Sequence, residues 1–488
     1  MRSIPHGGAD RAEWENVLGN MQVGPLRFFY PNSLEELQAV IQDAKMKGCK
    51  VRSTGSGHSF TDVAITTDFL IDPHELNRML EIDSRLLRNE WKTKEKRLVR
   101  VENGIRICDL NDALDALGLG LINMGSYTAQ TIIGAISTST HGSGMELGPL
   151  PDMVRSIEIL DGDGNLIRIE PNQGPTDPQE FARLHPQERL IQEDSVFYSS
   201  VVAMGCVGVV YAVTLEVRER YFLKEVRTPS TWGKVRQQIS LGGTLLTKNE
   251  HVDIYLNPHP NGGDHFCIIG TRNEVPISST ITERSFIYNF LSNIPGISIF
   301  FKFLFNTFYA LTPEILDDSM KSLIEDNYTN VSYKVLDLGG ANRISAYASE
   351  IAFSMENDNH VRSIEAILQV IAQCREIGQL YTTVPIGIRF VRKSPHYLSM
   401  MYERETCMVE VPCVKGTIGG MEILYKIEER LCTEEFKGRP HWGQINFLNR
   451  EKVQRLYSGS FELWLKNYKL MNRSEMFSNS FTNRCGLD

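Results

Sequence analysis

Residues 123–144 read NMGSYTAQTIIGAISTSTHGSG. Glycines stand at 125, 134, 142 and 144, and small hydroxyl side chains at 126, 128, 131, 137, 138, 139, 140 and 143. Few packed helices or strands need so many. A loop laid along a long, polar, phosphate-bearing ligand does, because glycine lets backbone N–H groups approach an anion closely. A second stretch lies upstream, Ser53-Thr54-Gly55-Ser56-Gly57-His58-Ser59, with small residues set around one histidine. Alone it reads as an ordinary turn. Paired with the longer loop it reads as a second wall of the same site. The strand–GxGxxG–helix pattern of nicotinamide dinucleotide sites is absent, which disfavours that class.

Outward from these loops the pattern alternates helix and strand. Ser33-x-x-Glu36 is a capping box, and Leu34, Leu37, Val40, Ile41 and Ala44 follow at helical spacing up to Gly48. A strand at Lys50-Val51-Arg52 then feeds the first loop. Leu98–Val101 alternates as a strand. Val154–Leu160 and Leu166–Ile169, joined by Asp161-Gly162-Asp163-Gly164-Asn165, predict a hairpin. The acidic turn has a faint likeness to a calcium loop, but its twelfth position is Asn172 and strands flank it. Gly205–Val217 is a glycine-marked turn into a buried strand. After about residue 220 longer amphipathic helices alternate with strands such as His251–Leu256, which places a domain boundary there.

The chain has 488 residues, enough for two or three domains. Its 51 Lys and Arg against 60 Asp and Glu, a net charge of −9 without a basic block, argue against nucleic acid as a partner. Nine cysteines are scattered without a C-x-x-C pair, which argues against a disulfide framework and a zinc site. With no signal-peptide core at the N-terminus, a reducing, cytoplasmic setting is expected. Phe286–Leu311 is apolar but broken by Pro295-Gly296 and diluted by Asn289, Asn293, Lys302 and Asn306. It predicts two short helices, with burial and peripheral membrane contact both open.

Taken together, VRSTGSGHSFTD, VENGIRICDL, the 123–144 loop and MGCVGVVYAVTLEV, in this order, resemble the FAD domain of the vanillyl-alcohol-oxidase superfamily. Gly438-Arg439-Pro440-His441-Trp442-Gly443 and Met476-Phe477-Ser478-Asn479-Ser480 resemble its sugar-1,4-lactone oxidase and alditol oxidase branch, which includes gulonolactone and arabinonolactone oxidases. The resemblance implies an α+β fold: a two-subdomain PCMH-type FAD-binding domain over residues 1–220, an α+β cap (substrate) domain over 221–430, and a segment, 431–488, returning to the FAD site. It implies FAD bonded covalently to His58. By the same likeness Ser53, Thr54, Gly55, Ser56, Gly57 and Ser59 would cradle the pyrophosphate. Ser126, Gly134, Ser137, Thr138, His141 and Gly142 would line the cofactor, with Val209, through its backbone, and Asn479 beside it.

The implied chemistry is oxidation of a CH–OH group in a small polar molecule, a sugar lactone, alditol, sugar or nucleoside, with oxygen as acceptor giving hydrogen peroxide. The flavin ring does the redox chemistry and the protein places and tunes it. No metal is implied. The alditol oxidase branch places a Glu-x-Arg pair and a lysine around the reacting carbon. Here Arg389 matches, but Gly387 stands for the glutamate and Gln444 for the lysine. Gly387 and Arg389 share a strand face, so the change opens space beside the arginine. A bulkier substrate, or one with its own polar group, is expected. Asp253, which shares a strand face with His251 and Tyr255, and Glu410 are alternative bases. Arg389 is a substrate contact or a structural ion-pair partner. His441 is a base, a flavin contact or a packed side chain. Two other functions stay open: a dehydrogenase serving a protein or quinone, and a flavin protein that has lost catalysis.

Overall fold

The computed structural model describes residues 9–10, 13–284, 297–338 and 345–487. Three sheets carry the fold, and local sequence builds the first. Strands β1 (Arg27–Phe29) and β2 (Val51–Ser53) each pair in parallel with β3 (Phe69–Ile71), while Ala9–Asp10 pairs antiparallel with β1. Between β1 and β2 runs helix α1 (Leu34–Lys47). The Ser33 hydroxyl accepts the Glu36 N–H. The return bond of the expected capping box goes one residue further back, from the Asn32 N–H to the Glu36 carboxylate. Gly48, at φ 65°, ends the helix by turning its N–H back to the Ala44 and Lys45 carbonyls. Leu37, Val40, Ile41 and Ala44 are buried against Phe29, Val51 and Phe69 of this sheet.

The second sheet holds β4 (Leu98–Glu102), β5 (Val154–Leu160), β6 (Leu166–Glu170) and β7 (Val209–Glu216), with Met79–Leu80 and Arg189–Gln192 at its edges. Helix α2 (Ile132–Ser137) lies within the second glycine-rich stretch. The expected hairpin is β5–β6. At its turn the Asp161 carboxylate accepts the N–H groups of Asp163 and Asn165. Every residue of β7 except Glu216 is buried, as a central strand requires.

The third sheet is antiparallel and eight-stranded. Its members are β8 (Phe222–Thr231), β9 (His251–Leu256), β10 (Phe266–Val275), β11 (Glu325–Val331), β12 (Ala346–Ser354), β13 (Ile386–Val391), β14 (Thr406–Val414) and β15 (Arg439–Pro440). They lie in the order β11-β8-β10-β9-β13-β14-β12-β15. Helices α3 (Ile297–Thr307) and α4 (Thr312–Lys321) connect β10 to β11. Helices α5 (Asn359–Gly378) and α6 (Gly420–Leu431) cover one face of the sheet, burying Ile364, Ile367, Ile371, Ile423 and Ile427 against Ile254, Ile388 and Val409. Period-two alternation then sends Asp253, Tyr255, Gly387, Arg389, Glu350 and Glu410 to the other face.

The C-terminal chain returns to the first sheet. The Val51 N–H donates to the Met476 carbonyl at 2.8 Å and the Arg52 guanidinium to the Phe477 carbonyl at 2.9 Å. All nine cysteines are free thiols. Of the apolar stretch 286–311, residues up to 296 lie outside the described part. The remainder forms one helix, α3, followed by a short turn of 3-10 helix at Tyr309–Leu311. Among the described residues no helix is long and apolar enough to cross a membrane.

Candidate active site

The polar face of the third sheet and the two glycine-rich loops enclose a cavity of about 850 Å³. Gly55, Ser56, Gly57, His58 and Ser59 form one part of its wall. Ser126, Gly134, Thr138 and His141 continue it. The loops fit closely: a Cβ on Gly55 would collide with the Thr131 hydroxyl, and Gly57 sits at φ +68°. Arg52, in the middle of β2, anchors the first loop by donating to the carbonyls of Val63, Met204, Gly205 and Phe477.

His58 faces the cavity with its Nε2 2.8 Å from the Tyr127 hydroxyl. Its Nδ1 is buried without a hydrogen-bond partner. Burial holds the imidazole down at about 4, so it is neutral at physiological pH. A neutral ring nitrogen with no partner, at the centre of a wall of small residues, fits attachment of a flavin. The donor set therefore suits FAD.

The opposite wall comes from the cap sheet and the C-terminal segment. Tyr255, Glu350, Gly387, Arg389, Glu410, His441 and Gln444 all reach the cavity. Arg389 donates to the Ser126 hydroxyl at 3.1 Å, which ties the two walls together. Behind it, Arg389 Nε lies 3.6 Å from Asp253 Oδ1. Asp253 Oδ2 is 2.5 Å from Arg272, and Arg272 is 2.8 Å from Glu225. Burial opposes ionisation of Asp253, but Arg272 and Arg389 outweigh it and hold the carboxyl far below the usual range. Asp253 thus lies behind Arg389, ion-paired to it and to Arg272.

His141 and His441 approach one another, with ring centroids 6.3 Å apart. His141 Nε2 lies 3.2 Å from Glu350 Oε1. Glu350 is buried, which would raise it, yet His141 brings it down to about 2. His441 Nδ1 accepts the Gly443 N–H at 3.0 Å, so the ring hydrogen sits on Nε2. Burial holds this imidazole at about 4. Glu410 accepts from the Gln444 amide at 2.9 Å. Burial, then Glu350, push the Glu410 carboxyl up.

Some residues expected at the site stand behind it. Ser53, Thr54, Ser137, Gly142, Val209, Asn479 and Asp253 are not on the cavity wall. Val209 is core. Gly142 packs against Asn123 and Met124. Asn479 caps the last helix and donates to the carbonyls of Asp62, Val63 and Ile65. Conversely, sequence reading passed over Tyr127 and Glu350. Tyr127 is the one large aromatic among small residues in its loop. Glu350 is the single charge in the strand AYASEIAFS. Both irregularities were visible signals.

Residues 25–170 match the FAD binding domain family, and residues 213–485 match D-arabinono-1,4-lactone oxidase. L-gulonolactone oxidase of Mus musculus is 25% identical over 98% of each chain. L-gulono-1,4-lactone dehydrogenase of Mycobacterium tuberculosis is 24% identical over 96% of this chain and 98% of its own. Cholesterol oxidase from B. sterolicum shares the fold, with a TM-score of 0.77 at 14% identity over 98% of this chain and 97% of its own. The second family match spans more than half of the sequence, and the fold and the His58 cavity agree with it. The chain belongs to the D-arabinono-1,4-lactone oxidase family, FAD-dependent oxidoreductases acting on CH–OH donors.

Proposed function

We propose that this protein oxidises a ring or side-chain CH–OH group of a sugar lactone, with FAD attached to His58 and oxygen as the final acceptor, giving hydrogen peroxide. The observation that carries this reading is the convergence of Arg389, Glu410, Gln444 and Ser126 on one cavity with the His58 loop. FAD, when bound, supplies the hydride acceptor. Residues 1–220 hold the cofactor, 221–430 the substrate, and 431–488 complete the wall with His441 and Gln444. The guanidinium of Arg389, locked between Asp253 and Ser126, orients the substrate oxygen and favours negative charge there. His441, its Nδ1 occupied, presents an N–H donor. The neutral His58 ring keeps Nδ1 free for bonding to the flavin.

A second reading concerns the acceptor. Ile299, Phe300 and Phe303 of α3 are exposed, while Phe301 and Phe305 of the same helix line the cavity. Such an apolar face beside the site favours a protein or quinone acceptor, and Ile299, Phe300 and Phe303 would then form the docking surface. Retention of Arg389 and two carboxylates on the wall weighs against lost catalysis.

The test is the visible spectrum of the purified protein mixed anaerobically with aldonolactones, then alditols, sugars and nucleosides. Bleaching of the flavin band by lactones alone supports the substrate class. Subsequent admission of oxygen should restore the band and yield peroxide. Restoration by a dye or quinone and not by oxygen would select the second reading. A protein that is colourless after FAD reconstitution would sink the proposal.

A further inference from the structure

We propose that Glu410 is the catalytic base, and that Glu350, facing it across the sheet, is the positioning residue that sets when it can act. This rests on the CH–OH oxidation reading above. Glu350 of β12 and Glu410 of β14 are directly opposed in the antiparallel register. Both reach the cavity. Like charges opposed across a ladder disfavour each other, so the pair resists losing both protons.

The surroundings break the symmetry. Glu350 has the His141 ring at 3.2 Å and stays ionised. Glu410 receives the neutral amide of Gln444. A proton held by the pair therefore resides on Glu410.

Beside Glu410 the cavity wall carries no side chain. On the strand to its other side the register partner is Gly387. A Cβ there would already stand in van der Waals contact with Glu410, 3.6 Å from its Oε2. Beyond Gly387 the next partner is Tyr255, whose hydroxyl is buried with no hydrogen-bond partner. Gly387 thus leaves a gap bounded by a phenol, a carboxylate and, two residues along the same face, the Arg389 guanidinium. A carbinol reaching this part of the cavity would donate its hydroxyl to Glu410 and accept from Arg389.

Other bases are excluded by their bonds. Asp253 is held by Arg272 and Arg389. His441 Nδ1 is taken by the Gly443 N–H. In the step itself the substrate O–H proton passes to Glu410. FAD, when held at the His58 loop, would accept the hydride that leaves the carbon with the C–H electron pair, and the carbinol would become a carbonyl. Glu410 then returns its proton to solvent.

The experiment measures anaerobic flavin reduction by a lactone across pH, together with an infrared titration of carboxyl groups in the oxidised holoenzyme without substrate. The groups facing Glu410 are Glu350 from β12, Arg389 from β13, Tyr255 from β9, His141 from the loop after α2, and His441 and Gln444 from the C-terminal segment. In the native protein the rate should fall on the acid side as Glu410 takes a proton. Glu410→Gln should lower the reduction rate about 10²–10⁴-fold, erase that acid limb and leave the flavin spectrum unchanged. Glu350→Gln removes the opposing negative charge, so the limb should move to lower pH. In the infrared, a carboxyl that keeps its proton above the ordinary range should vanish in Glu410→Gln. An unchanged rate and limb in Glu410→Gln overturns the proposal, and so does loss of its flavin spectrum, which would mark a cofactor support. Should no lactone reduce the native flavin, the substrate reading fails. The infrared titration still decides the pair, because a titration unaltered by Glu410→Gln overturns it.

Discussion

One wall of the cavity is built largely from two short stretches, within residues 55–59 and 125–141, whereas the cap wall takes one to three residues from each of four strands between residues 251 and 414. The first wall is mostly backbone and small residues. It accepts one shape, and local sequence specifies it. The second wall is made of side chains on a regular lattice. There a functional group can be supplied from any strand that faces the gap, and the fold does not change. Gly387 and Glu410 illustrate this, since they are register partners on neighbouring strands. On the proposed reading the first wall would constrain reaction class, and the second would set substrate and proton chemistry.

Substitutions can break or sharpen this contrast. The largest effect should come from the support of the backbone wall, at Gly142 directly behind it. Alanine at Gly142 would collide with the Asn123 side chain and the Met124 carbonyl. Overpacking of this kind costs about 1–3 kcal/mol, and Gly142→Ala should emerge without bound flavin, read from its absorbance spectrum. A yellow, active Gly142→Ala would break the distinction between the walls.

On the cap wall, Arg389→Met should keep the flavin and lose about 10²–10³-fold in kcat/KM, as expected for loss of a fixed donor. Stopped-flow flavin reduction checks it. Asp253→Asn should act on stability first. It strips one negative charge from buried Arg272 and Arg389, and breaking such a network costs about 3–5 kcal/mol, seen as a lowered Tm. Its loss of turnover should be smaller than that of Arg389→Met. A reversed order would make Asp253 the base.

His58→Ala should fold, bind FAD reversibly and release it on denaturation, whereas the native flavin stays with the denatured chain. The smallest effect belongs to Gln444→Lys. A cation in place of the Gln444 amide, which now donates to Glu410, favours the carboxylate. Glu410 then stays deprotonated further down the pH scale, and the acid limb of kcat/KM should move to lower pH. A shift to higher pH would contradict the assignment of Glu410.

How much could be read in advance follows the same division. The α1 cap, the β5–β6 hairpin and the His58 loop were legible because their partners lie within a few residues of each other. The capping-box return bond to Asn32 instead of Ser33 shows the limit of that reading, at one residue. Asp253 was less legible. As one of three polar residues on a strand face it suggested a base, and only the approach of Arg272 from the neighbouring strand and Arg389 from the other side shows it as an anchor. Ser53, Val209 and Asn479 belong to the same motifs yet lie off the cavity wall.

The sequence alone determined the α+β class, the two glycine-rich loops and the lone histidine between small residues, because backbone conformation and close approach are properties of consecutive residues. Tertiary structure alone decided that Glu350, Glu410, Gly387 and Tyr255 form one row across four strands. Strand register is set by long-range hydrogen bonding and by which face the helices bury, and neither is written in the spacing of those residues along the chain.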